Sequence, residues 1–238
     1  MIYQVGKDSG VYCIEGIGQA RAYFVAASEY TLIDTGVPSQ APRIVSALAQ
    51  IGVQPLQVKR IILTHHHWDH VGSLWELQRI THAQVCAHPR DADYITGKRP
   101  RRAPRRTLGR IMYGLFTLMG AQKLPPVPID RALNDGEKIG AFSVIHTPGH
   151  TPGHICLQRD DFLFSGDLLF ATPGAFRETP HIFTADVPTS RASIAKIAGL
   201  DFQVILSGHH APHVVQSAAR VRELANKLGA MENSARVA

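Results

Sequence analysis

The histidines of this chain are unevenly placed, and their placement limits the folds it can adopt. Ten of its 13 histidines lie in three windows, residues 65–70, 146–154 and 209–213. Each window lies at or just after a short apolar run of the kind that forms a buried strand. Neutral imidazole is the commonest protein ligand of transition metals. The clustering therefore predicts a metal site built from the ends of several strands.

Strand and helix patterns alternate along the chain. The predicted strands are Val11–Ile14, Ala22–Ala26, Tyr30–Ile33, Val58–Leu63, Gln84–Ala87, Phe142–His146, Ile155–Gln158, Phe162–Phe164 and Val204–Leu206. The predicted helices are Ala41–Gln50, Ser73–Ile80, Ser190–Ala198 and Val214–Leu228. Interleaved strands and helices predict an α/β fold. We expect one domain over residues 1–238, with an insertion at about 97–130.

A basic stretch, Lys98–Arg110, opens the insertion and contains seven cations and no acid. Outside it 18 basic residues face 19 acidic ones, so the net charge of +6 belongs to this stretch. A solvated arm, a contact with an anionic substrate or nucleic acid, and a membrane-surface contact are open alternatives. So is a homodimer contact through the apolar Leu108–Gly120. The stretch has no aromatic residue to stack bases, which disfavours single-stranded nucleic acid.

The sequence THHHWDH directly follows a predicted strand. In an extended segment alternate side chains share a face, so we expect His65 and His67 to point one way and His66 the other. A turn can then bring back two further candidate ligands, Asp69 and His70. The alternative is a run of surface histidines that binds nothing.

Three more candidate ligands each follow a predicted strand: His150 in TPGHTPGH, Asp167 in SGD and His209 in SGHH. Open α/β sheets place their ligand sites beyond the carboxyl ends of strands. Five histidines and two aspartates exceed the four ligands of one tetrahedral ion. Two divalent ions would use them all. Zinc suits this donor set best, with iron and manganese open.

These residues and their order resemble the metal signature of metallo-β-lactamase-fold hydrolases, and TLIDTG, TPGHTPGH and SGDLLF strengthen the match. The resemblance covers nearly all the chain outside the insertion and implies an αββα four-layer sandwich with a dinuclear site. It implies that Asp167 bridges the ions and that Asp34 supports the ligand loop. It further implies that one ion takes His65, His67 and His150 and the other takes Asp69, His70 and His209.

The resemblance also separates subgroups of the family. A bridging Asp167 is unlike the true β-lactamases, which disfavours antibiotic hydrolysis. Glyoxalase II enzymes share the ligands but carry a C-terminal glutathione-binding domain, which we do not expect in the 29 residues after His209. Acyl-homoserine lactonases commonly have a tyrosine three residues after the bridging aspartate, where this chain has Phe170.

We therefore predict a dinuclear hydrolase that attacks a small ester, thioester or lactone with a metal-bridging hydroxide. Asp69 is the catalytic candidate, because it could orient the nucleophile or carry a proton to the leaving group. The alternatives are a mononuclear-iron sulfur dioxygenase of the same fold and a nucleic-acid-binding or processing protein that uses residues 98–110. The segment MIYQVGKDSG has no secretion-signal pattern, so we expect a cytoplasmic protein with a small-molecule substrate and no transmembrane segment.

Several residues near these motifs have two readings. His154 and His210 flank candidate ligands and are either ordinary turn histidines or hydrogen-bond partners of the site. His88 has no evident partner, so we expect it at the surface. The three cysteines, at positions 13, 86 and 156, form neither a disulfide framework nor a metal knuckle. We expect buried thiols there.

Overall fold

The computed structural model describes residues 1–100, 114 and 124–229. By their internal contacts these fall into two compact units, Met1–Leu133 and Asn134–Ala238. Most of the basic stretch and nearly all of Leu108–Gly120 lie outside the described residues. One domain with an insertion at about 97–130 therefore stays a prediction. Across the part of the chain that is described, no helix is both long enough and apolar enough to cross a bilayer.

The first unit contains a seven-stranded sheet whose strands follow one another in chain order. Strands β1 to β4 pair antiparallel, and β4 to β7 pair parallel. The strands are β1 (Ile2–Gln4), β2 (Val11–Ile14), β3 (Ala22–Val25), β4 (Tyr30–Ile33), β5 (Val58–Ile62), β6 (Gln84–Ala87) and β7 (Arg131–Ala132). Among the described residues, the helices of this unit are α1 (Ala41–Gln50), α2 (Trp68–Val71), α3 (Leu74–Thr81) and α4 (Pro89–Ile95).

Helix α1 shows why this unit holds together. Its buried positions include Ile44, Ala47 and Leu48, which share one helical face and pack into the core with Leu32 and Ile61 of the sheet. Each buried leucine or isoleucine contributes about 1.5–3 kcal/mol. This packing holds β4 and β5 side by side and in parallel, so that their carboxyl ends emerge at one edge of the sheet.

The second unit contains a five-stranded sheet in the order β14-β11-β10-β9-β8 and a separate hairpin of β12 and β13. Only the β11–β14 pair of this sheet is parallel among the described strands. The strands are β8 (Lys138–Ile139), β9 (Phe142–His146), β10 (Ile155–Arg159), β11 (Phe162–Gly166), β12 (Leu169–Ala171), β13 (Phe176–Glu178) and β14 (Val204–Ser207). Helices α5 (Val187–Ala198) and α6 (Ser217–Lys227) bury Ile194, Ile197 and Val221 in the core of this unit.

All of the predicted strands and helices that lie within the described residues are present, with ends shifted by a few residues. Helix α5 begins earlier than predicted because Asp186 caps it, its carboxylate accepting a hydrogen bond from the Thr189 amide. Helix α6 begins later, because Gln216 has a left-handed φ of 48°. The elements that sequence patterns missed are short, such as the four-residue α2, and a few residues do not establish a period.

The three cysteines are buried and unpaired, as expected. Burial raises the pKa of Cys86 to about 11 and that of Cys156 to about 12. These thiols therefore pack as small apolar groups rather than as reactive thiolates.

Candidate metal centre

In the first unit, candidate ligands lie where β4 and β5 end side by side. Asp34 follows β4, and its amide donates to the Ile62 carbonyl of β5 at 3.0 Å. Its φ of 59° is left-handed, a conformation that aspartate tolerates better than most residues. The ligand-bearing segment that starts at His65 follows β5. The parallel pairing of two strands thus brings a carboxylate to the first histidine of the motif.

The buried Asp34 carboxylate accepts three hydrogen bonds, two from Thr64 and one from His70. Oδ1 accepts from the Thr64 amide at 2.8 Å, and Oδ2 accepts from Thr64 Oγ1 at 2.7 Å and from His70 Nδ1 at 2.8 Å. Because the carboxylate can only accept, His70 carries its proton on Nδ1. Its Nε2 therefore presents a lone pair, the form that binds a metal.

His65 is set in the same tautomer through Thr64. The Thr64 hydroxyl gives its one proton to Asp34, so it accepts at its lone pair from His65 Nδ1, 3.0 Å away. His65 Nε2 is then unprotonated. One carboxylate and one hydroxyl thus orient two neighbouring imidazoles for ligation.

The imidazole rings of the motif pack against one another. The ring centroid of His65 lies 4.7 Å from that of His67 and 4.1 Å from that of His70. His65 and His70 are 1% and 0% exposed. Several protonated imidazoles at this distance would repel one another with little water to screen them. A set of neutral rings around a cation suits this geometry.

His66 faces another partner. Its backbone amide donates to Asp91 Oδ2 at 3.0 Å, its ring Nδ1 lies 2.9 Å from the same oxygen, and the ring stacks on Tyr94 at 4.2 Å. Asp91 is fully buried in the first turn of α4, just beyond the end of β6. The structure therefore agrees with the expectation that His66 points away from the set formed by its neighbours.

A tight turn carries the last two candidates of the motif. Helix α2 begins after His67, places the half-buried Asp69 in its first turn, and holds His70 through a bond from the His70 amide to the His67 carbonyl at 2.9 Å. The turn packs closely at Gly72. A Cβ there would lie 2.3 Å from the Pro38 amide nitrogen, so only glycine fits.

In the second unit, His150, Asp167 and His209 meet at the carboxyl ends of β9, β11 and β14. Asp167 Oδ2 lies 2.9 Å from His209 Nε2 and 3.7 Å from His150 Nε2. Asp167 and His150 are buried, and His209 is partly exposed. One carboxylate oxygen thus stands close to two imidazole nitrogens from different strands.

The turn that carries His150 depends on Gly149. Its φ is 134°, and a Cβ there would lie 2.3 Å from backbone atoms of Ser190 in α5. Its carbonyl accepts from the Asp186 amide at 2.9 Å. This close approach of turn and helix seats His150 at the sheet edge.

The residues beside these ligands have different surroundings. His154 is fully buried, and its Nε2 accepts from the Asp167 amide at 3.1 Å, so it is a hydrogen-bond partner of the site. His210 packs its ring at 4.9 Å from Phe170, which also lies edge-on to His209. The expectation that His88 lies at the surface is wrong. It is 7% exposed and caps α4, accepting from the Arg90 amide.

The donors in both units are imidazoles and carboxylates, which suits zinc and similar divalent ions. Sequence reasoning missed Thr64, Asp91 and Thr179, which hydrogen-bond to Asp34, His66 and Asp167. Asp91 could have been suspected, because it comes shortly after the predicted strand Gln84–Ala87. Thr179 had no such signal.

Comparison with known proteins identifies the family. The chain matches the model of the Metallo-beta-lactamase superfamily over residues 16–209. It is 31% identical to the probable metallo-hydrolase YflN of Bacillus subtilis (strain 168), with 89% of each chain covered. It is 34% identical to the hydroxyacylglutathione hydrolase of Pectobacterium carotovorum over 72% of this chain, but it spans only 55% of that longer protein.

Solved structures show the same fold. A metallo-β-lactamase of Cronobacter sakazakii superposes with a TM-score of 0.68 at 21% identity, over 96% of this chain and 92% of that one. A metallo-β-lactamase family protein of Thermus thermophilus also gives 0.68, at 24% identity over 95% and 80%. They confirm the predicted fold class, an α/β fold of the αββα metallo-β-lactamase type. The superfamily match and the likeness to YflN together show that this chain belongs to the metallo-β-lactamase superfamily and is a metal-dependent hydrolase.

Proposed function

We propose that the chain is a dinuclear hydrolase of a small carboxylic ester, thioester or lactone. The ligands proposed for one ion are His65, His67 and His150, those for the other are Asp69, His70 and His209, and Asp167 is the shared ligand. This division follows the family resemblance. The tautomers that Asp34 and Thr64 impose on His65 and His70 support it, since both imidazoles then offer Nε2.

The position of Asp167 is the observation that carries the proposal. Its Oδ2 lies 2.9 Å from His209 Nε2 and 3.7 Å from His150 Nε2. A carboxylate with imidazoles from two different strands beside it is suited to link two ions. A site for one ion would not need a carboxylate that is shared between two groups of histidine ligands.

Two divalent ions would supply Lewis acidity, lowering the pKa of water and stabilising negative charge on the carbonyl oxygen. The protein's own part is to hold the donors and to move a proton. Asp34 keeps His70 in the ligating tautomer, and α2 places Asp69 beside it. We propose that Asp69 orients the attacking water and carries a proton to the leaving group.

The substrate class rests on the ligand set and on the relatives. Hydroxyacylglutathione hydrolases are among the curated relatives, which favours an ester-like or thioester-like acyl substrate. The similarity to solved metallo-β-lactamase structures is below 25% sequence identity, so it supports a shared fold and not a shared substrate. Asp167 as the shared ligand, which differs from the true β-lactamases, disfavours a lactam substrate.

The test combines metal quantification with a substrate panel of esters, thioesters, lactones and phosphodiesters. We expect two zinc-like ions per chain and hydrolysis of at least one acyl compound. His67→Ala and Asp167→Asn should each lower the amount of bound metal and lower kcat/KM by more than about 100-fold. This loss exceeds the roughly 10- to 100-fold effect of removing a group that only hydrogen-bonds to a metal ligand. The matched control is His82→Asn, because His82 is an exposed helix C-cap with a φ of 53° that asparagine tolerates.

Other results would point elsewhere. Near-normal turnover and metal content in either ligand variant would contradict the assignment. One iron per chain with oxygen consumption would favour a sulfur dioxygenase. Binding of nucleic acid that falls steeply with salt and survives chelation would favour a nucleic-acid-binding protein.

A further inference from the structure

We infer that His154 is a positioning residue that fixes the Asp167 carboxylate by holding the Asp167 backbone. The inference rests on the proposed function, in which Asp167 is shared by two ions. His154 is fully buried, and its Nε2 accepts a hydrogen bond from the Asp167 amide at 3.1 Å. It thus contacts the proposed bridging residue through the backbone amide.

The hydrogen bonds of His154 set its protonation. A backbone amide can only donate, so His154 Nε2 must carry a lone pair, and the ring proton must lie on Nδ1. Nδ1 lies 2.8 Å from Thr147 Oγ1, which accepts that proton. The Thr147 hydroxyl can in turn donate to the His154 carbonyl at 3.5 Å. The arrangement makes His154 an acceptor, with its ring orientation set by Thr147.

His154 also belongs to the turn that carries His150. Its carbonyl accepts from the Thr147 amide at 2.9 Å, and its amide donates to the Thr151 carbonyl at 3.4 Å. The same residue therefore joins the His150 turn to the start of the segment after β11. This link controls the separation of His150 Nε2 from Asp167 Oδ2, which is 3.7 Å.

Asp167 needs such a link because it has just left its strand. The preceding Gly166 has a left-handed φ of 48°. Side chains then hold the next peptide groups: His154 takes the Asp167 amide, and Thr179 Oγ1 donates to the Asp167 carbonyl at 2.5 Å. Loss of the His154 acceptor would remove this hydrogen bond from the buried Asp167 amide and allow the carboxylate to shift.

Two substitutions at His154 separate positioning from packing. His154→Leu removes the acceptor, whereas His154→Gln restores a carbonyl oxygen at similar reach. The matched control is His146→Gln, because the His146 Nε2 donates to the Pro152 carbonyl of the same turn at 3.0 Å. We would measure zinc affinity by chelator competition, melting temperature without metal, and kcat and KM separately.

We expect His154→Leu to weaken binding of the looser zinc ion by about 10- to 100-fold and to lower kcat more than it changes KM. His154→Gln should recover most of this loss, and His146→Gln should bind zinc within about twofold of wild type, a difference of about 0.4 kcal/mol. If His154→Leu does not fold, Thr147→Val takes its place, because it removes the acceptor of His154 Nδ1. We expect it to weaken zinc binding as well.

The inference is overturned if folded His154→Leu, or Thr147→Val in its place, binds zinc and turns over substrate like wild type. It is also overturned if His154→Leu and His154→Gln lose the same affinity, since packing alone would then explain the loss. Both outcomes require a wild-type protein that binds two ions and hydrolyses an acyl substrate. A wild-type protein that does neither overturns the proposed function instead.

Discussion

Replacing Asp34 with asparagine tests whether Asp34 sets the tautomer in which His70 offers Nε2 to a metal. The substitution keeps the size of the side chain and the left-handed backbone, which asparagine tolerates well. It turns one carboxylate oxygen into an amide nitrogen that donates hydrogen bonds. The Thr64 amide can still donate to the remaining oxygen, but Thr64 Oγ1 and His70 Nδ1 then face a donor.

The magnitude follows from these contacts. Two hydrogen bonds to a charged acceptor are lost or become neutral ones, which should lower the free energy of unfolding by about 1–3 kcal/mol. To accept from the amide, His70 must move its proton from Nδ1 to Nε2, the nitrogen proposed to bind metal. Zinc affinity should therefore fall by about 10- to 100-fold. Asp34→Ala should cost more stability, because it leaves three buried donors without an acceptor and places alanine at positive φ.

The assay is chelator competition for zinc, with urea unfolding of the metal-free protein alongside. Asp8→Asn is the matched control, since Asp8 is exposed and also has a left-handed φ, of 54°. We expect the control to keep wild-type zinc affinity and stability. Zinc affinity of Asp34→Asn within twofold of wild type would refute the reasoning that Asp34 sets the tautomer of His70.

Two further predictions follow from the second unit. Gly149→Ala places a Cβ 2.3 Å from the Ser190 backbone at a φ of 134°, so we expect the free energy of unfolding to fall by at least about 2 kcal/mol and zinc binding to weaken. The control is Gly174→Ala, because a Cβ there meets nothing within 4 Å. Unchanged stability of Gly149→Ala would contradict this expectation. The hydrogen bond from Arg191 lowers the pKa of Glu178 below its ordinary value of 4.5, so the stability from this pair is present above pH 4.5 and is lost as the pH falls through the lowered pKa. In the metal-free protein, Glu178→Gln should lower the free energy of unfolding at pH 7 by about 0.5–1 kcal/mol, a small loss because the ion pair is partly exposed. A difference in unfolding free energy between wild type and variant that persists at pH 2 would contradict this.

Local pattern was enough to place the ligand segments. The strands that precede His65 and His209 are short and rich in valine and isoleucine, and such runs form strands because sheet pairing satisfies their backbone hydrogen bonds. Alternation along an extended chain was enough to separate His66 from its neighbours. The family resemblance then supplied the grouping of the ligands, which spacing by itself left open.

Local pattern did not find the residues that hold the ligands. Asp91 meets His66 because α4 follows a strand parallel to β5, and Thr179 meets Asp167 because the β12–β13 hairpin returns to it. The sequence pattern favoured an ordinary turn histidine at position 154, whereas the structure shows a hydrogen bond from the Asp167 amide to His154. Such contacts join residues that are not neighbours in the sequence, so the local sequence around either residue does not predict them.

The order of residues therefore determined which side chains can serve as donors, since imidazole and carboxylate chemistry and the ends of apolar strands are local properties. The tertiary structure decided which nitrogen each imidazole offers. A histidine has two nearly equivalent tautomers, and only a neighbour at hydrogen-bond distance, Asp34 for His70 and Thr147 for His154, makes one of them the stable form.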